Sequence, residues 1–341
     1  MKILAIETSC DETSASILEI KNGRFNLLSN IVSSQVKIHA RYGGIVPEVA
    51  ARKQIEDVVP VINESIKKAK IKLSDIDYFA VTQGPGLVTS LTVGVEATKT
   101  LSVLLKKPLI SVNHVTAHLL ANHLSNHKIK YPALGLIVSG GHTLLVLIKN
   151  ESTFKIIGTT QDDAVGEAFD KVAKILNLGY PGGPIISHLA EKGDPNKYKF
   201  ARPMISQKNL DFSFSGLKTA VLYLVQDLKK KKINIKKEIP HISASFQAAA
   251  VDVLVSKTLR ALRQHKVKSF LLGGGVSANQ ALRDKLKQKI NSEFTDLDIF
   301  IPELKFTGDN AAMIAVASYF KIKDKKFADA KSLRSDPHLK I

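Results

Sequence analysis

Two stretches of the chain follow one plan, and this constrains the fold more than any other feature. Residues 3–20 alternate an apolar strand, a polar turn at residues 8–13 and a second apolar strand, which predicts a β-hairpin. Residues 134–148, LGLIVSGGHTLLVLI, repeat the plan with residues 139–143 at the tip. Two such hairpins about 130 residues apart predict an internally duplicated chain with two lobes.

The segments that follow each hairpin alternate helical and strand patterns. After the first hairpin, the spacing predicts a helix over 46–69, a strand over 78–82, a helix over 90–105 and a strand over 107–112. After the second, it predicts helices over 163–177, 215–229 and 243–264, a strand over 269–272 and a helix from about 278. Strands that alternate with helices in both halves indicate the α/β class.

Length and composition exclude several classes of protein. A chain of 341 residues is long enough for two domains, and its single cysteine, Cys10, excludes an internal disulfide and a cysteine-rich zinc module. We therefore expect a reducing compartment, the cytoplasm. The apolar runs are interrupted before they reach about 20 residues, and no signal-peptide pattern follows Met1, so we expect neither a membrane span nor secretion.

The charge balance favours a phosphate-rich partner. Lysine and arginine total 49 against 31 acidic residues, a net charge of +18. A general bias of composition towards lysine would give the same balance. The lysine run at 229–232, continued by Lys236 and Lys237, is either a solvated connection between helices or a loop that contacts phosphates.

Four histidines follow the strand predicted at 107–112. On a helix, His114 and His118 lie about 40° apart on one face, whereas His123 and His127 lie nearly opposite and are expected to face water. A pair at this spacing can converge on one metal ion, although a hydrogen-bonded core pair or two surface histidines would show the same spacing. No glutamate follows His114, so the general base of a His-Glu-x-x-His peptidase is missing and a Lewis-acid or template metal is expected instead.

A third ligand must come from elsewhere in the chain. Asp309, just before the apolar helix predicted at 311–320, is the candidate. Its alternative role is the N-cap of that helix.

The tip of the second hairpin offers hydrogen-bond donors. Gly140 and Gly141 leave backbone N–H groups unhindered, and Ser139 and Thr143 add hydroxyls, a combination that suits phosphate or carboxylate oxygens. A plain tight turn is the alternative.

Two further segments could contact a nucleotide. The glycine turn at 273–275 runs into a helix with Asn279 near its first turn, although it lacks the strand that a dinucleotide fingerprint requires before Glu293. Asp163, Glu167 and Asp170 share one helix face, which indicates either surface ion pairs or one acid that binds a ligand hydroxyl.

Taken together, these segments resemble the tRNA N6-adenosine threonylcarbamoyltransferase family, formerly described as O-sialoglycoprotein endopeptidases. Nine matching stretches occur in family order over nearly the whole chain: IETSCDETS (6–14), YGGIVPEVAAR (42–52), TQGPGLVTSL (82–91), NHVTAHLLA (113–121), VSGGHT (138–143), DDAVGEAFDKVAKILNLGYPGGP (162–184), FSFSGLKTA (212–220), GGGVSAN (273–279) and TGDNAAMIA (307–315).

The resemblance implies the two-lobed actin-like ATPase fold, which sugar kinases share. It implies one lobe made of residues 1–112 plus about 313–341 and a second lobe of residues 113–312, with the metal and nucleotide site in the cleft. The phosphate-binding turns would be residues 9–13 and 139–143, and the adenosine turn would be 273–279.

The resemblance also implies a reaction and its site. The family transfers a threonylcarbamoyl group from threonylcarbamoyl-AMP to N6 of adenosine 37 in tRNAs that read codons beginning with A. The implied ligands of one divalent metal, iron(II) with zinc(II) as the alternative, are His114, His118 and Asp309. The implied substrate-binding residues are Ile137, Val138, Ser139, Gly140, Gly141, Asp170, Gly183 and Asn279. Ser187 departs from some relatives, which carry an acid there.

Deprotonation of the attacking amine needs an acceptor. We hypothesise that Asp11 or Glu12, at the tip of the first hairpin, takes this proton; the leaving phosphate is the rival. The resemblance further implies several partners: tRNA, an inactive paralogue of the same fold, a small P-loop ATPase, and a separate synthase that supplies the adenylate.

Three other functions compete with this interpretation. An actin-fold kinase or ATPase for a small molecule would share the hairpins but would not need His114 and His118. A metallopeptidase would need the glutamate that is missing after His114. A non-catalytic scaffold would not be expected to keep the histidine pair.

Overall fold

The computed structural model describes every residue from Met1 to Ile341. Its strands are β1 (Lys2–Glu7), β2 (Glu12–Lys21), β3 (Arg24–Ser34), β4 (Tyr78–Gly84), β5 (Leu109–Asn113), β6 (Ala133–Val138), β7 (Thr143–Asn150), β8 (Thr153–Thr159), β9 (Ser269–Gly273) and β10 (Asp298–Phe300). Its helices are α1 (Val36–His39), α2 (Pro47–Ala69), α3 (Val88–Leu105), α4 (His114–Leu120), α5 (Val165–Ile175), α6 (Gly182–Ala190), α7 (Ser215–Lys230), α8 (Ile235–Gln264), α9 (Gln280–Glu293) and α10 (Ala311–Lys323). The predicted elements are present; α8 begins eight residues before its predicted start, because Asn234 caps it and the helix continues through Pro240.

Both predicted hairpins form, and each opens a five-stranded sheet. The first sheet has the order β3-β2-β1-β4-β5 and the second the order β8-β7-β6-β9-β10, so the two sheets share one topology. In each sheet the hairpin strands are antiparallel, and the strand that opens the hairpin is parallel to its neighbour on the other side, β4 beside β1 and β9 beside β6. The repeated strand order confirms the predicted duplication.

The first sheet is covered on both faces, as the continuous apolar run of β1 requires. Ile3 and Ala5 face a core shared with α4 and α10. Leu4 and Ile6 face the opposite core, which contains residues of α2 and α3. The core of the second sheet is formed largely by α5, α7 and α8.

The chain divides into two compact units. The first contains Met1–Ile129, Lys149–Phe154 and Pro302–Ile341, and the second contains Lys130–Ile148 and Lys155–Ile301. Residues 113–129, 149–154 and 302–312, which we expected in the second lobe, lie in the first unit. For residues 113–129 and 302–312 the reason is packing: α4 lies against α10, and both share the core on one face of the first sheet.

Helix α3 is long and apolar enough to cross a membrane by length and composition alone. The sequence predicted a helix here, over 90–105, and no membrane span. In the structure α3 packs against β4 and α2, and Leu91 and Val95 on its inner face are buried. These are the contacts of a helix that covers a sheet.

The parallel strands β1, β4 and β5 end at one edge of the first sheet. Three short segments follow these ends: the polar residues 8–11 after β1, the turn at 85–87 after β4, and helix α4, which carries His114 and His118, after β5. The carboxyl edge of parallel strands is where α/β proteins bind ligands, so this edge is the place to examine for a site.

Candidate functional site

Helix α4 places the two predicted ligand histidines one turn apart. Strand β5 ends at Asn113, whose side-chain Oδ1 accepts hydrogen bonds from the N–H groups of Val115 (3.0 Å) and Thr116 (3.1 Å) and so caps the helix. His114 and His118 are both buried, and their ring centroids lie 4.7 Å apart. The cap fixes where the helix begins and therefore which face the pair occupies.

Asp309 meets this pair. Its Oδ1 lies 3.6 Å from His114 Nε2 and 3.3 Å from His118 Nε2. The alternative role as N-cap belongs to its neighbour Asn310, whose side chain accepts the N–H groups of Ala312 and Met313. Because Asn310 caps α10, the Asp309 carboxylate is not needed as the cap and faces the histidines.

These three residues fit one metal ion. His118 is 2% exposed, and neither of its ring nitrogens makes a hydrogen bond, although Nε2 is close to Asp309. Ligand atoms bound to one ion at about 2.1 Å and angles between 90° and 109° lie roughly 3.0–3.4 Å apart. The observed separations are close to this range, and all three ligand atoms lie within 4.8 Å of one another. Ligation through Nε2 would satisfy a nitrogen that is otherwise buried without a partner.

A buried carboxylate that the sequence analysis missed orients His114. Glu7, at the end of β1, is fully buried, and its Oε2 lies 3.2 Å from His114 Nδ1. Glu7 also accepts hydrogen bonds from the Ser9 N–H and the Thr82 hydroxyl. When Nδ1 donates to Glu7, the lone pair of the ring is on Nε2, on the side of Asp309. The sequence did contain a sign of this role, because Glu7 is an acidic residue at the end of the apolar strand β1.

The two carboxylates also set the protonation of His114. Burial alone would lower the pKa of His114, but the negative charges of Asp309 and Glu7 outweigh it and raise the pKa to about 9. In the metal-free protein at neutral pH the ring is therefore protonated. Metal binding would displace this proton.

The proposed bases follow Glu7 in the first hairpin: Asp11 lies in the turn after β1, and Glu12 is the first residue of β2. Asp11 is buried, and Glu12 accepts a hydrogen bond from the Ser34 hydroxyl at 3.2 Å. Burial raises the pKa of Glu12 well above its usual value, and the charges of Asp11 and Asp309 raise it further. A carboxylate with a raised pKa holds a proton more readily near neutral pH than an exposed one does.

The second histidine pair does not behave as predicted. His127 is exposed, as expected, but His123 is buried with its ring centroid 4.8 Å from that of Phe320. The prediction that His123 faces water is therefore wrong. The α-helix ends at Leu120 and a 3₁₀ turn follows, so the 100° spacing used for the prediction does not extend to residue 123. Burial lowers the pKa of His123 to about 4.

The second unit holds the predicted substrate-binding residues. At the tip of the second hairpin, Gly140 and Gly141 are exposed, and no heavy atom lies within 4 Å of the position that a Cβ would occupy on either. Ser139 stabilises this turn, because its hydroxyl accepts the His142 N–H at 3.0 Å. Ile137 and Val138 lie in β6 with fully buried side chains, so only their backbone is available to a ligand.

The other three predicted substrate-binding residues lie around α6. Asp170 accepts the N–H of Gly182, the first residue of α6, at 2.7 Å, and Gly183 has open space where a side chain would be. Asn279 caps α9, and its Nδ2 donates to Ser187 on α6.

Gln247 on α8 is a further member of this group, because its Oε1 also accepts a hydrogen bond from Asn279 Nδ2, at 2.7 Å. Sequence reasoning missed Gln247, which stands alone within a long helical pattern. Asp163 and Glu167, by contrast, each form an ion pair with Lys171 at 2.7 Å. For these two acids the surface ion pairs that the sequence left open as an alternative are therefore present.

Comparison with solved structures defines the class of protein. The fold matches HypF from T. kodakarensis with a TM-score of 0.64 at 14% identity, over 97% of this chain and 49% of that chain. It also matches component A of (R)-2-hydroxyglutaryl-CoA dehydratase from Acidaminococcus fermentans with a TM-score of 0.54 at 16% identity, over 95% and 99% of the two chains. At such low identity these likenesses show the fold alone, which is the actin-like ATPase fold.

Sequence comparison identifies the family. The model of the TsaD family, tRNA N6-adenosine threonylcarbamoyltransferase, matches residues 26–316. A relative of that name from Thermosipho africanus is 49% identical over 100% of both chains. Another, from Kosmotoga olearia, is 47% identical over 95% of this chain and 94% of the relative. The chain belongs to the tRNA N6-adenosine threonylcarbamoyltransferase family, as the resemblance implied. The kinase and metallopeptidase alternatives are not favoured.

Proposed function

We propose that this chain transfers the threonylcarbamoyl group from threonylcarbamoyl-AMP to N6 of adenosine 37 in tRNAs that read codons beginning with A. Family membership supports the reaction class. The observation that carries the proposal is the cluster of His114, His118 and Asp309, in which the buried His118 ring lacks any hydrogen-bond partner.

One divalent ion is proposed at this cluster. Two imidazoles and one carboxylate form a ligand set that suits iron(II), which we propose, and zinc(II) is the alternative. When bound, such an ion supplies a Lewis acid for oxygens of the donor. Glu7 fixes the tautomer and the orientation of His114 from the side opposite the ligand nitrogen.

Residues of the second unit are proposed to bind the adenylate. The exposed N–H groups of Gly140 and Gly141 can donate to phosphate or carbonyl oxygens, where no Cβ obstructs their approach. Asp170, Gly183 and Asn279 are proposed to hold the ribose and adenine, with Ile137 and Val138 contributing backbone groups. Since the Asn279 amide is held by Gln247 and Ser187, its orientation is set before a ligand binds.

In the proposed transfer, the N6 amine attacks the carbonyl carbon of the donor. A C–N bond forms, the C–O bond to the phosphate breaks, and AMP leaves. The exocyclic amine is a weak nucleophile, so the reaction requires both an activated donor and a fixed approach. We propose that Asp11 or Glu12 accepts the proton released from the amine, in competition with the leaving phosphate. The raised pKa of Glu12 supports this role.

The tRNA substrate would require positive charge on the protein surface. The residues Lys229, Lys230, Lys232, Lys236 and Lys237, named here the α7–α8 lysine cluster, are all exposed and form no ion pair. Lys229 and Lys230 lie in the last turn of α7, where the helix dipole favours positive charge, but Lys236 and Lys237 lie in the first turn of α8, where it disfavours positive charge. Because none of the five lysines is paired with an acid, the cluster fits the phosphates of an RNA.

A set of lysines of comparable density serves as a comparison. Lys67, Lys68, Lys70 and Lys72, named here the α2 lysines, lie at or beyond the carboxyl end of α2 and are also exposed. The helix dipole favours positive charge at this end, so no anionic partner is needed to explain them.

A protein partner is proposed for the first unit. Ile55, Val59 and Val88 on α2 and α3 are each more than half exposed, and grouped exposed apolar side chains are typical of protein interfaces. The proposed partners are an inactive paralogue of the same fold and a small P-loop ATPase, with a separate synthase supplying the adenylate in the cytoplasm.

The test is an in vitro transfer assay with radiolabelled threonine, purified synthase and partners, and unmodified tRNA. We expect label on wild-type tRNA, none on tRNA with guanosine at position 37, and loss of transfer with His114→Ala. His127→Ala is the matched control, because it removes an exposed histidine from the same segment. Full transfer by His114→Ala would contradict the metal-dependent reaction, and label on the guanosine variant would contradict the acceptor.

A further inference from the structure

The segment of residues 334–341, named here the strap, lies across the loops at the carboxyl edge of the first sheet. The N–H of Asp336 donates to the carbonyl of Gln83 at 2.8 Å, and the N–H of Gly86 donates to the carbonyl of Pro337 at 3.4 Å. The Gln83 side chain in turn donates to the carbonyl of Arg334. Backbone contacts of the strap therefore follow the end of β4.

The fit between the strap and β4 is close. A Cβ on Gly84 would lie 1.7 Å from the carbonyl oxygen of Asp336, so only glycine permits this approach. Leu333 is buried and anchors the beginning of the strap. The strap itself is exposed or half-buried along its length, so hydrogen bonds rather than apolar burial hold most of it.

The strap also reaches the helix that carries the proposed metal ligands. Asn113 Nδ2 donates to the carbonyls of Leu339 (3.3 Å) and Lys340 (3.2 Å). Its Oδ1 caps the first turn of α4, and His114 is the next residue. A side-chain amide can accept at the cap and donate to two carbonyls at once, whereas an ionised aspartate can only accept and the shorter serine side chain carries a single O–H donor.

We propose that the strap, through Asn113, positions α4 and thereby fixes His114 and His118 for metal binding; this rests on the proposed metal site. Helix α4 has only seven residues, so little intrinsic stability holds its first turn in place. With the strap docked, Asn113 is held from both sides. With the strap released, the cap and the histidine beside it gain freedom, which weakens convergent ligation.

Three variants separate the strap from the cap. Asn113→Asp and Asn113→Ser keep a capping oxygen but remove the amide group that donates to both carbonyls, and a chain that ends at Leu333 removes the acceptors. The probe is Zn²⁺ alone, titrated against a chromophoric chelator. We expect about tenfold weaker Zn²⁺ binding in each variant, by analogy with other residues that orient metal ligands. Asn113→Asp combined with the shortened chain should lose little more than either change alone, because both act on one contact.

Hydrogen exchange in the metal-free protein provides the second measurement. The variants should exchange the amides of α4 several-fold faster than wild type. His338→Ala removes an exposed side chain of the strap that makes no hydrogen bond, and it should match wild type in both measurements. Unchanged exchange and unchanged Zn²⁺ binding in the shortened chain would overturn the proposal. Failure of wild type itself to bind Zn²⁺ would contradict the metal site, and the exchange data would still decide whether the strap orders α4.

Discussion

Replacement of Glu7 by glutamine tests whether this buried carboxylate, in addition to the three proposed ligands, contributes to the metal affinity of the site. The change keeps the shape of the side chain and removes its charge, 3.2 Å from His114 Nδ1. A carboxylate in this position raises the basicity of the imidazole and holds its orientation, and loss of such a partner typically weakens metal binding by 10–100-fold. We expect that loss for Zn²⁺, which corresponds to about 1.4–2.7 kcal/mol.

The same substitution has a second consequence in the metal-free protein, because Glu7 helps to raise the pKa of His114 to about 9 from its usual 6.5. A raised folded-state pKa stabilises the fold fully below pH 6.5, and this contribution is lost as the pH rises through 9. The shift corresponds to about 3 kcal/mol for a fully buried ring. Wild type stripped of metal should therefore lose stability between pH 6.5 and 9, and Glu7→Gln should lose less over this range.

Both quantities can be measured directly. Competition with a chromophoric chelator at pH 7 and pH 9 gives the Zn²⁺ affinity, and two pH values are needed because protons compete with the metal for His114. Urea unfolding of metal-free protein across the same range gives the stability. Glu96→Gln is the matched control, because Glu96 is exposed and pairs only with Lys99. Wild-type affinity and a wild-type pH profile in Glu7→Gln would refute the reasoning.

Three further changes test other parts of the structure. Lys257→Met removes a fully buried ammonium that donates to Asn209 and should lower the free energy of unfolding by about 2 kcal/mol, measured in urea, whereas Met at the exposed Lys208 should not. Gln247→Leu removes an acceptor of the Asn279 amide and should weaken AMP binding about fivefold by calorimetry, roughly 1 kcal/mol. Glutamine at all five positions of the α7–α8 lysine cluster should reduce the slope of log affinity for tRNA against log salt by ~0.9 per lysine that contacts a phosphate, and glutamine at the α2 lysines should leave the slope nearly unchanged.

Local patterns predicted much of this structure because their physical causes are local. Alternation of apolar residues around short polar tips predicted both hairpins, and the spacing of His114 and His118 predicted their common face, since a regular helix does connect them. The same argument failed for His123, because the helix ends between the two pairs. A periodic argument holds only as far as the element that provides the period.

Other features depend on contacts between distant residues. Asp309 and Asn310 are adjacent and both are good capping residues, so the sequence could not decide which of them caps α10. Glu7 and His114 are 107 residues apart and meet only because β1 and β5 end at the same sheet edge. The boundary between the two units was equally inaccessible, because it depends on the packing of α4 against α10.

The duplicated hairpins show how one topology supplies two kinds of chemistry. The strand that opens each hairpin is central in its sheet and parallel to its neighbour, so each tip lies at a carboxyl edge. The first hairpin concentrates carboxylates there, namely Glu7, Asp11 and Glu12, and a carboxylate can orient a metal ligand or accept a proton. The second places Gly140 and Gly141 there, and open backbone N–H groups can only donate. Two hairpins of the same topology thus differ in the charge of their tips. An exchange of residues that includes Glu7 should weaken Zn²⁺ binding at least as much as Glu7→Gln, because the acid that orients His114 is lost.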